Sequence, residues 1–248
     1  MSTKDNFSEI AGNYATWRPE YPQEFFTYLS SLSTEHNRAL DCGTGNGQAA
    51  KLLAKFYKEV YATDISEAQL KHAVALPNIH YSVSPAEKTD FPDQYFDMVC
   101  AAQAAHWFKH EVFYKEVERV LKPNGVLALI GYGLIEINDD IDKLIKILYT
   151  NILAAYWDKE RRFIDDHYQS LPFPYKELPI PSFQIDCEWN LAQLIGYLNT
   201  WSALNHYKKV KGINPLNEII AELKNVWGSG DIVRPVQFPI IAKVAVMK

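Results

Sequence analysis

The chain of 248 residues has little of several features that would assign it to a class at once. Its three cysteines, Cys42, Cys100 and Cys187, are isolated, so neither a metal site nor a redox motif is indicated. No apolar run reaches the roughly 18 residues that span a bilayer, and the first residues carry no signal-peptide pattern. Clustered positive charge is scarce and the net charge is -5, which disfavours nucleic acid. These absences predict a cytoplasmic protein that binds neither nucleic acid nor membrane.

What the sequence does contain is a regular alternation of short apolar runs with amphipathic segments between residues 22 and 131. Buried parallel strands read as continuous apolar runs, whereas helices between them show apolar residues at helical spacing. The pattern therefore predicts a doubly wound α/β fold, a parallel sheet with helices on both faces. The predicted strands are Arg38–Cys42, 60–63, Ile79–Val83, Phe96–Ala102, 126–130 and, near the C-terminus, 236–246.

The sharpest motif is LDCGTGNG at residues 40–47, where a predicted strand enters a glycine loop that opens a helix. Glycines let the backbone turn tightly and let a ligand approach it closely. Asp64 ends the next strand, where a carboxylate can accept hydrogen bonds from both hydroxyls of a ribose. Asp41, just before the loop, would crowd a pyrophosphate but can hold an ammonium, directly or through water. Together they indicate a nucleoside that carries an amino acid and no phosphate.

A dinucleotide-binding enzyme is the nearest alternative for such a loop. Its fingerprint is G-x-G-x-x-G, in which the third glycine allows close packing of the helix. Here the spacing is G-x-G-x-G, and Gln48 stands where that third glycine would be. A nicotinamide oxidoreductase is therefore disfavoured.

On these residues the chain resembles the class I S-adenosylmethionine-dependent methyltransferases. The glycine loop is similar to the superfamily's first motif. Residues 84–99 resemble the stretch that leads into strand four, and residues 121–127 (LKPNGVL) resemble the turn before strand five. Further matches resemble the group that includes the trans-aconitate methyltransferases. These are YATWRPEYP at residues 14–22, QAAHWF at 103–108 and LNTWSA at 198–203.

The resemblance implies a Rossmann-like, seven-stranded sheet with a C-terminal antiparallel strand and a helical insertion that covers the substrate. A single methyltransferase domain would then span residues 1–248. Its parts would be an N-terminal helical arm (1–37), a cofactor-binding core (38–133), a cover (134–181) and a segment that completes the sheet (182–248). Residues 139–157 within the cover are predicted to form one long helix. The expected partner is a small-molecule substrate, and the expected state is a monomer or a homodimer.

The implied cofactor is S-adenosyl-L-methionine, and the resemblance assigns most of its contacts. The glycine loop and Asp41 would hold the methionine end, Asp64 the ribose, and Ile65 the adenine ring. Pro85 stands where the superfamily has a polar side chain that contacts the adenine amine, so backbone amides would read the adenine edge instead. The complete set of implied cofactor-binding residues is Tyr14, Arg18, Asp41, Gly43, Gly45, Asp64, Ile65, Ala86, Glu87 and Gln103.

Three residues are candidates for catalysis. The resemblance implies that Arg18 faces a carboxylate of the cofactor or of the substrate, which an arginine can bind in bidentate fashion. His106 and Trp107 follow the carboxyl end of strand four, which faces the site. A carboxylate acceptor needs no general base near pH 7, whereas a phenol or a carbon acid needs one, and His106 would be that base. The acceptor therefore stays open between a small carboxylate and a quinone or phenol methylated on carbon or oxygen. A cofactor-binding protein without catalysis is a third possibility.

Overall fold

The computed structural model describes residues 17–247, which are built on a seven-stranded sheet in the order β3-β2-β1-β4-β5-β7-β6. The first five strands run parallel, and β7 is antiparallel to both of its neighbours. The predicted Rossmann-like sheet with an antiparallel C-terminal strand is thus confirmed. The strands are β1 (Arg38–Cys42), β2 (Glu59–Asp64), β3 (Ile79–Val83), β4 (Phe96–Ala102), β5 (Leu121–Tyr132), β6 (Gln184–Trp189) and β7 (Arg234–Val246).

The central strands are mostly apolar because both faces of the sheet are covered. On β4, Met98 and Cys100 pack into the core on one face, while Val99 and Ala101 pack into the core on the other. The same alternation continues along β5. Since successive side chains of a strand point to opposite faces, two cores favour apolar residues at consecutive positions.

Nine α-helices surround the sheet within residues 17–247. They are α1 (Gln23–Ser31), α2 (Gln48–Leu53), α3 (Glu67–Leu70), α4 (His110–Val120), α5 (Asp139–Ile147), α6 (Arg162–Asp165), α7 (Leu191–Leu198), α8 (Ser202–Lys211) and α9 (Ile220–Trp227). None of the helices in this described part of the chain is long and apolar enough to cross a membrane.

The cover differs from the prediction of one long helix over residues 139–157. Asn138 caps the N-terminus of helix α5, because its side chain accepts a hydrogen bond from the Ile141 amide, and the helix ends at Ile147. A π-helical segment, Leu148–Ile152, and a 3-10 turn, Ala154–Tyr156, follow it. The apolar stripe continues across this change, which is why the periodicity did not reveal it. The later part of the cover contacts the turn that follows β4.

Two short turns place the cover over the carboxyl ends of the parallel strands. The 3-10 turn Ala105–Trp107 follows β4, and it lies against the 3-10 turn Lys159–Arg161 of the cover. Ligands of α/β sheets bind at this edge. The fold therefore brings a segment from the second half of the chain to the same edge of the sheet as the glycine loop.

Asp97 is the second residue of β4, and it has a structural role at the amino ends of the parallel strands. Its buried carboxylate accepts hydrogen bonds from the amides of Asn37 (2.7 Å) and Arg38 (2.8 Å) and from Lys122 Nζ (2.6 Å). The side chain thus joins the starts of β1 and β5 through β4. Lys122 also pairs with the exposed carboxylate of Glu35 (2.9 Å).

We expect Asp97→Asn to lower the free energy of unfolding by about 2 kcal/mol, because a partly exposed lysine and two backbone amides lose their charged acceptor. Urea unfolding measures this loss. Glu35→Gln is the matched control, since it removes an exposed partner of the same lysine and is expected to change stability by less than about 1 kcal/mol. Equal effects of the two substitutions would contradict the structural role of Asp97.

Candidate active site

A cleft with about 810 Å³ of empty space opens at the carboxyl ends of β1, β2 and β4. Seven of the predicted site residues line it: Arg18, Gly43, Gly45, Asp64, Ile65, Gln103 and Trp107. The structure thus brings together residues that the sequence places in four separate motifs.

The glycine loop forms one wall, and its glycines have the left-handed backbone that favours this residue. At Gly43, with a φ of +66°, an added Cβ would lie 2.6 Å from the Cβ of Ala104. At Gly45, with a φ of +57°, the closest heavy atom to an added Cβ is Gln69 Oε1 at 4.0 Å. Gly43 is therefore required by packing against the segment after β4, whereas Gly45 leaves its backbone open to the cleft.

Asp64, the last residue of β2, is fixed at the cleft by two backbone amides. Its Oδ2 accepts a hydrogen bond from the Gly45 amide (2.8 Å), and its Oδ1 accepts one from the Ser66 amide (2.8 Å). Each carboxylate oxygen can accept a second hydrogen bond. The side chain therefore presents two adjacent acceptors in a fixed plane, the arrangement that binds a vicinal diol.

Asp41 lies beneath the loop and is fully buried, so it is not part of the cleft wall. Its Oδ2 accepts hydrogen bonds from Thr44 Oγ1 (2.6 Å) and the Ala50 amide (3.1 Å). Within residues 17–247, its buried Oδ1 has no hydrogen-bond partner. Burial raises the pKa of this carboxyl to about 7, against the lowering effect of the Thr44 and Ala50 hydrogen bonds. Asp41 therefore organises the loop and favours a cation close to it.

A second pocket, with about 470 Å³ of empty space, adjoins the cleft. Arg18, Gln103 and Trp107 line both spaces and form the wall that they share. The remaining residues around the second pocket are His106, Trp157, Asp158, Arg161, Trp201 and Ser202. Two adjoining compartments of this kind suit a reaction between two ligands.

Arg18 is held by groups of the protein on the boundary between the compartments. Its Nη1 donates to the hydroxyl of Tyr132 (2.9 Å), and its Nη2 donates to the carbonyl of Thr200 (3.4 Å). The guanidinium carbon also lies 5.5 Å from the centre of the Tyr197 ring. The positive charge is thus positioned at the shared wall by contacts from β5 and from the chain after α7.

Gln103 reaches the same wall through an unusual backbone. It follows β4 with a φ of +53°, its amide donates to the Ile130 carbonyl (2.7 Å), and its Nε2 donates to the Tyr132 carbonyl (3.3 Å). Left-handed backbone is unfavourable for a residue with a side chain and occurs where the surroundings impose it. Here the two hydrogen bonds that Gln103 donates to carbonyls of β5 hold this backbone conformation.

His106 is 4% exposed, and its Nδ1 has no hydrogen-bond partner among the described residues. Burial lowers its pKa to about 3, and the nearby charges of Arg161 and His110 lower it further. The imidazole is therefore neutral throughout the physiological range and is a weak base. Its ring packs against that of Trp107, with 5.0 Å between the ring centres.

Three predicted cofactor residues are placed differently or lie outside the described range. Ala86 is buried in a core cluster, and the carboxylate of Glu87 accepts a hydrogen bond from the Lys109 amide (2.9 Å). Neither residue lines the cleft or the second pocket as the structure describes them. Tyr14 lies outside residues 17–247. The assignment of these three residues to the cofactor stays a prediction.

The structure adds residues that the sequence did not single out. Tyr21 and Tyr132 line the cleft, and Asp158 and Arg161 line the second pocket. Tyr21 belongs to the RPEYP segment, so that motif carried a usable signal. Arg161 was visible in the sequence only as half of a short basic pair, because nothing local shows that the cover folds back over β4.

Comparisons with known proteins agree with this architecture. The profile of a family described as a methyltransferase domain matches residues 40–129. A Dictyostelium discoideum protein named as a methyltransferase is 33% identical over 231 residues, which are 92% of this chain and 88% of that protein. A solved structure from Anaeromyxobacter dehalogenans, named as a type II methyltransferase, has a TM-score of 0.86 and 38% identity, covering 92% of this chain and 97% of its own.

The chain therefore belongs to the class I S-adenosylmethionine-dependent methyltransferases. The narrower resemblance to the trans-aconitate methyltransferase group stays a prediction, because the names of these relatives do not specify a substrate.

The raised pKa of Asp41 predicts how stability depends on pH in the absence of any ligand. The folded protein retains the Asp41 proton up to about pH 7, whereas the unfolded chain releases it near 3.8. The folded state therefore binds more protons in this window, and the contribution of Asp41 to stability is lost as pH rises through it. The measurement is urea unfolding of the wild type and Asp41→Asn at a series of pH values.

The free energy of unfolding of the wild type, relative to that of Asp41→Asn, should decrease as pH rises from about 4 to about 7. Asn is the matched substitution because it keeps an acceptor for Thr44 and Ala50 but does not titrate. A difference between the two proteins that does not change across this window would contradict the assignment.

Proposed function

We propose that this protein transfers the methyl group of S-adenosyl-L-methionine to a small molecule, with a carboxylate as the acceptor. The observation that carries the proposal is the pairing of two compartments. The cleft combines the glycine loop with Asp64, and it shares a wall with a pocket that contains two arginines, Arg18 and Arg161. A nucleoside cofactor suits the first compartment, and an anionic acceptor suits the second.

The residues of the cleft fit this cofactor without any rearrangement of the loop. Asp64 would accept hydrogen bonds from the two ribose hydroxyls, and the exposed side chain of Ile65 would pack on the adenine ring. The open backbone at Gly45 gives room for close approach. The charge of Asp41 beneath the loop would attract the ammonium of the methionine end, which in turn would favour the ionised carboxyl.

Methyl transfer depends mainly on alignment. Bound S-adenosylmethionine supplies an activated methyl on its sulfonium, and the acceptor oxygen gives the electron pair of the new C–O bond as the C–S bond breaks. The shared wall of Arg18, Gln103 and Trp107 would hold the acceptor in line with the methyl. Such positioning can lower a barrier by roughly 7 to 11 kcal/mol. A carboxylate oxygen has no proton to lose, so no general base is needed.

The low pKa of His106 supports a carboxylate over a phenol or a quinone. A general base works best when its pKa is near the operating pH, whereas burial lowers that of His106 to about 3. The neutral imidazole can still accept or donate a hydrogen bond in the second pocket. We therefore assign His106 to orientation of the acceptor and Trp107 to the apolar wall beside it.

The cofactor assignment predicts that Asp64→Ala weakens binding of S-adenosylmethionine and S-adenosylhomocysteine. The loss should be about 100-fold, because two hydrogen bonds to a charged acceptor disappear. Isothermal titration calorimetry with both ligands measures it. Glu67→Ala is the matched control, since Glu67 is an exposed carboxylate close to Asp64 in sequence that does not line the cleft. Undiminished binding by folded Asp64→Ala, or no binding by the wild type, would refute the cofactor site.

The assignment of His106 predicts that kcat, measured at saturating S-adenosylmethionine, stays nearly constant between about pH 6 and pH 9, because the pKa of His106 lies well below this range. His106→Gln keeps a polar side chain and should retain most of kcat while it raises KM. A steady-state pH profile of the wild type and this variant provides the measurement. A sigmoidal rise of kcat with pH that His106→Gln abolishes would favour the phenol or quinone acceptor instead.

The small-molecule substrate, the cytoplasmic location and the monomeric or dimeric state remain predictions.

A further inference from the structure

Arg161 is mostly buried and held by aromatic side chains, whereas its neighbour Arg162 is exposed. The Arg161 side chain is 21% exposed, and its Nε donates to the hydroxyl of Tyr149 (2.8 Å). The guanidinium carbon lies 5.6 Å from the ring centre of Tyr149 and 5.2 Å from that of Trp157. One edge of the guanidinium is thereby fixed between two aromatic rings.

The other edge of the guanidinium is not used by the protein. Neither terminal nitrogen of Arg161 forms a hydrogen bond within residues 17–247, and the closest carboxylate oxygen, Asp165 Oδ1, lies 3.6 Å from Nε. The side chain nevertheless lines the second pocket and lies near enough to His106 to lower its pKa. A planar fork of donors held in place by its other edge is suited to bidentate recognition of a carboxylate.

Asp158 shows the complementary feature in the same pocket. Its side chain is 9% exposed, and its buried Oδ2 accepts no hydrogen bond from the described residues. The imidazole Nδ1 of His206 lies 3.9 Å away and is hydrogen-bonded to the Tyr156 carbonyl instead (2.9 Å). A buried carboxylate oxygen without a donor is costly, so a ligand that brings an O–H or N–H to it would relieve that cost.

The charges and the walls of the pocket restrict the ligand further. Arg18 and Arg161 are positive and Asp158 is negative, so these side chains together carry one positive charge. This charge suits a ligand with a single negative charge. A phosphate dianion would meet the Asp158 carboxylate, which disfavours it. Trp107, Trp157 and Trp201 supply apolar wall on several sides. The pocket therefore fits an organic monoanion with an apolar body.

We propose that Arg161 binds the carboxylate of the acceptor through its terminal nitrogens, while Asp158 accepts a hydrogen bond from a hydroxyl or amino group of the same molecule. The substrate class is then a hydroxy- or amino-carboxylate with an apolar body. This inference rests on the proposed function and deepens it, since it moves recognition of the acceptor from Arg18 to the cover. Each carboxylate oxygen keeps a lone pair for attack on the methyl when Arg161 occupies the other.

The test uses protein saturated with S-adenosylhomocysteine and three probes of matched shape. Mandelate has the carboxylate and the hydroxyl, phenylacetate lacks the hydroxyl, and mandelamide lacks the charge. Isothermal titration calorimetry should rank wild-type affinity as mandelate above phenylacetate, with mandelamide weakest. Arg161→Gln should weaken mandelate binding at least about tenfold, because a desolvated charged pair loses one partner, and Arg161→Lys should weaken it less. Arg162→Gln is the control and should bind mandelate as the wild type does.

Asp158→Ala tests the second half of the inference. It should weaken mandelate binding but leave phenylacetate binding unchanged, so that the preference for the hydroxyl disappears. All variants should keep the wild-type affinity for S-adenosylhomocysteine and a cooperative melting transition, which excludes misfolding.

Several results would overturn the inference. They are undiminished mandelate binding by Arg161→Gln, mandelamide binding as tightly as mandelate, no saturable binding of mandelate to the loaded wild type, or a hydroxyl preference that survives in Asp158→Ala. Failure of the wild type to bind S-adenosylhomocysteine is a separate result, because it would refute the proposed function itself.

Discussion

The carboxylate of Asp64 connects the carboxyl ends of β1 and β2, and the site depends on this connection. Asp64 accepts the Gly45 amide on one oxygen and the Ser66 amide on the other, while the Thr44 amide donates to the Thr63 carbonyl (2.9 Å). The glycine loop is therefore held against the neighbouring strand. Asp41 supports the loop from below through Thr44, so both acids act on one short segment.

The second half of the site depends on a contact between distant segments. The turn after β4 carries His106, and the turn of the cover that lies against it carries Arg161. Packing of the two turns buries the imidazole close to a guanidinium, and both effects lower the pKa of His106. The cover thus has an electrostatic role in addition to shielding the pocket: it keeps the imidazole neutral and adds a fixed positive charge.

Strands and helices were predicted correctly where the sequence pattern that indicates them is complete within a few residues. The predicted bounds of β1, β3 and β4 match the structure, because continuous apolar runs ended by turn residues are complete within a few positions. Strand β6 was not located from the sequence, although QIDCEW alternates polar and apolar residues as a half-buried strand does. An outer strand lacks the continuous apolar run that indicated the central strands. The end of α5 at Ile147 was missed for a related reason. An apolar stripe persists through a π-helical segment, so periodicity does not report the change of hydrogen bonding.

The sequence by itself determined the class of fold, the glycine loop and the acids around it, because strand, loop and acid are consecutive in the chain and their spacing carries the chemistry. Only the tertiary structure decided which residues form the second pocket. Arg18, His106, Arg161 and Trp201 are far apart in sequence and share no period, and only the path of the cover brings them together. Burial was likewise decided in three dimensions. Burial raises the pKa of Asp41 and lowers that of His106, so the imidazole stays neutral. Both shifts arise from desolvation, which depends on the groups that pack around a side chain.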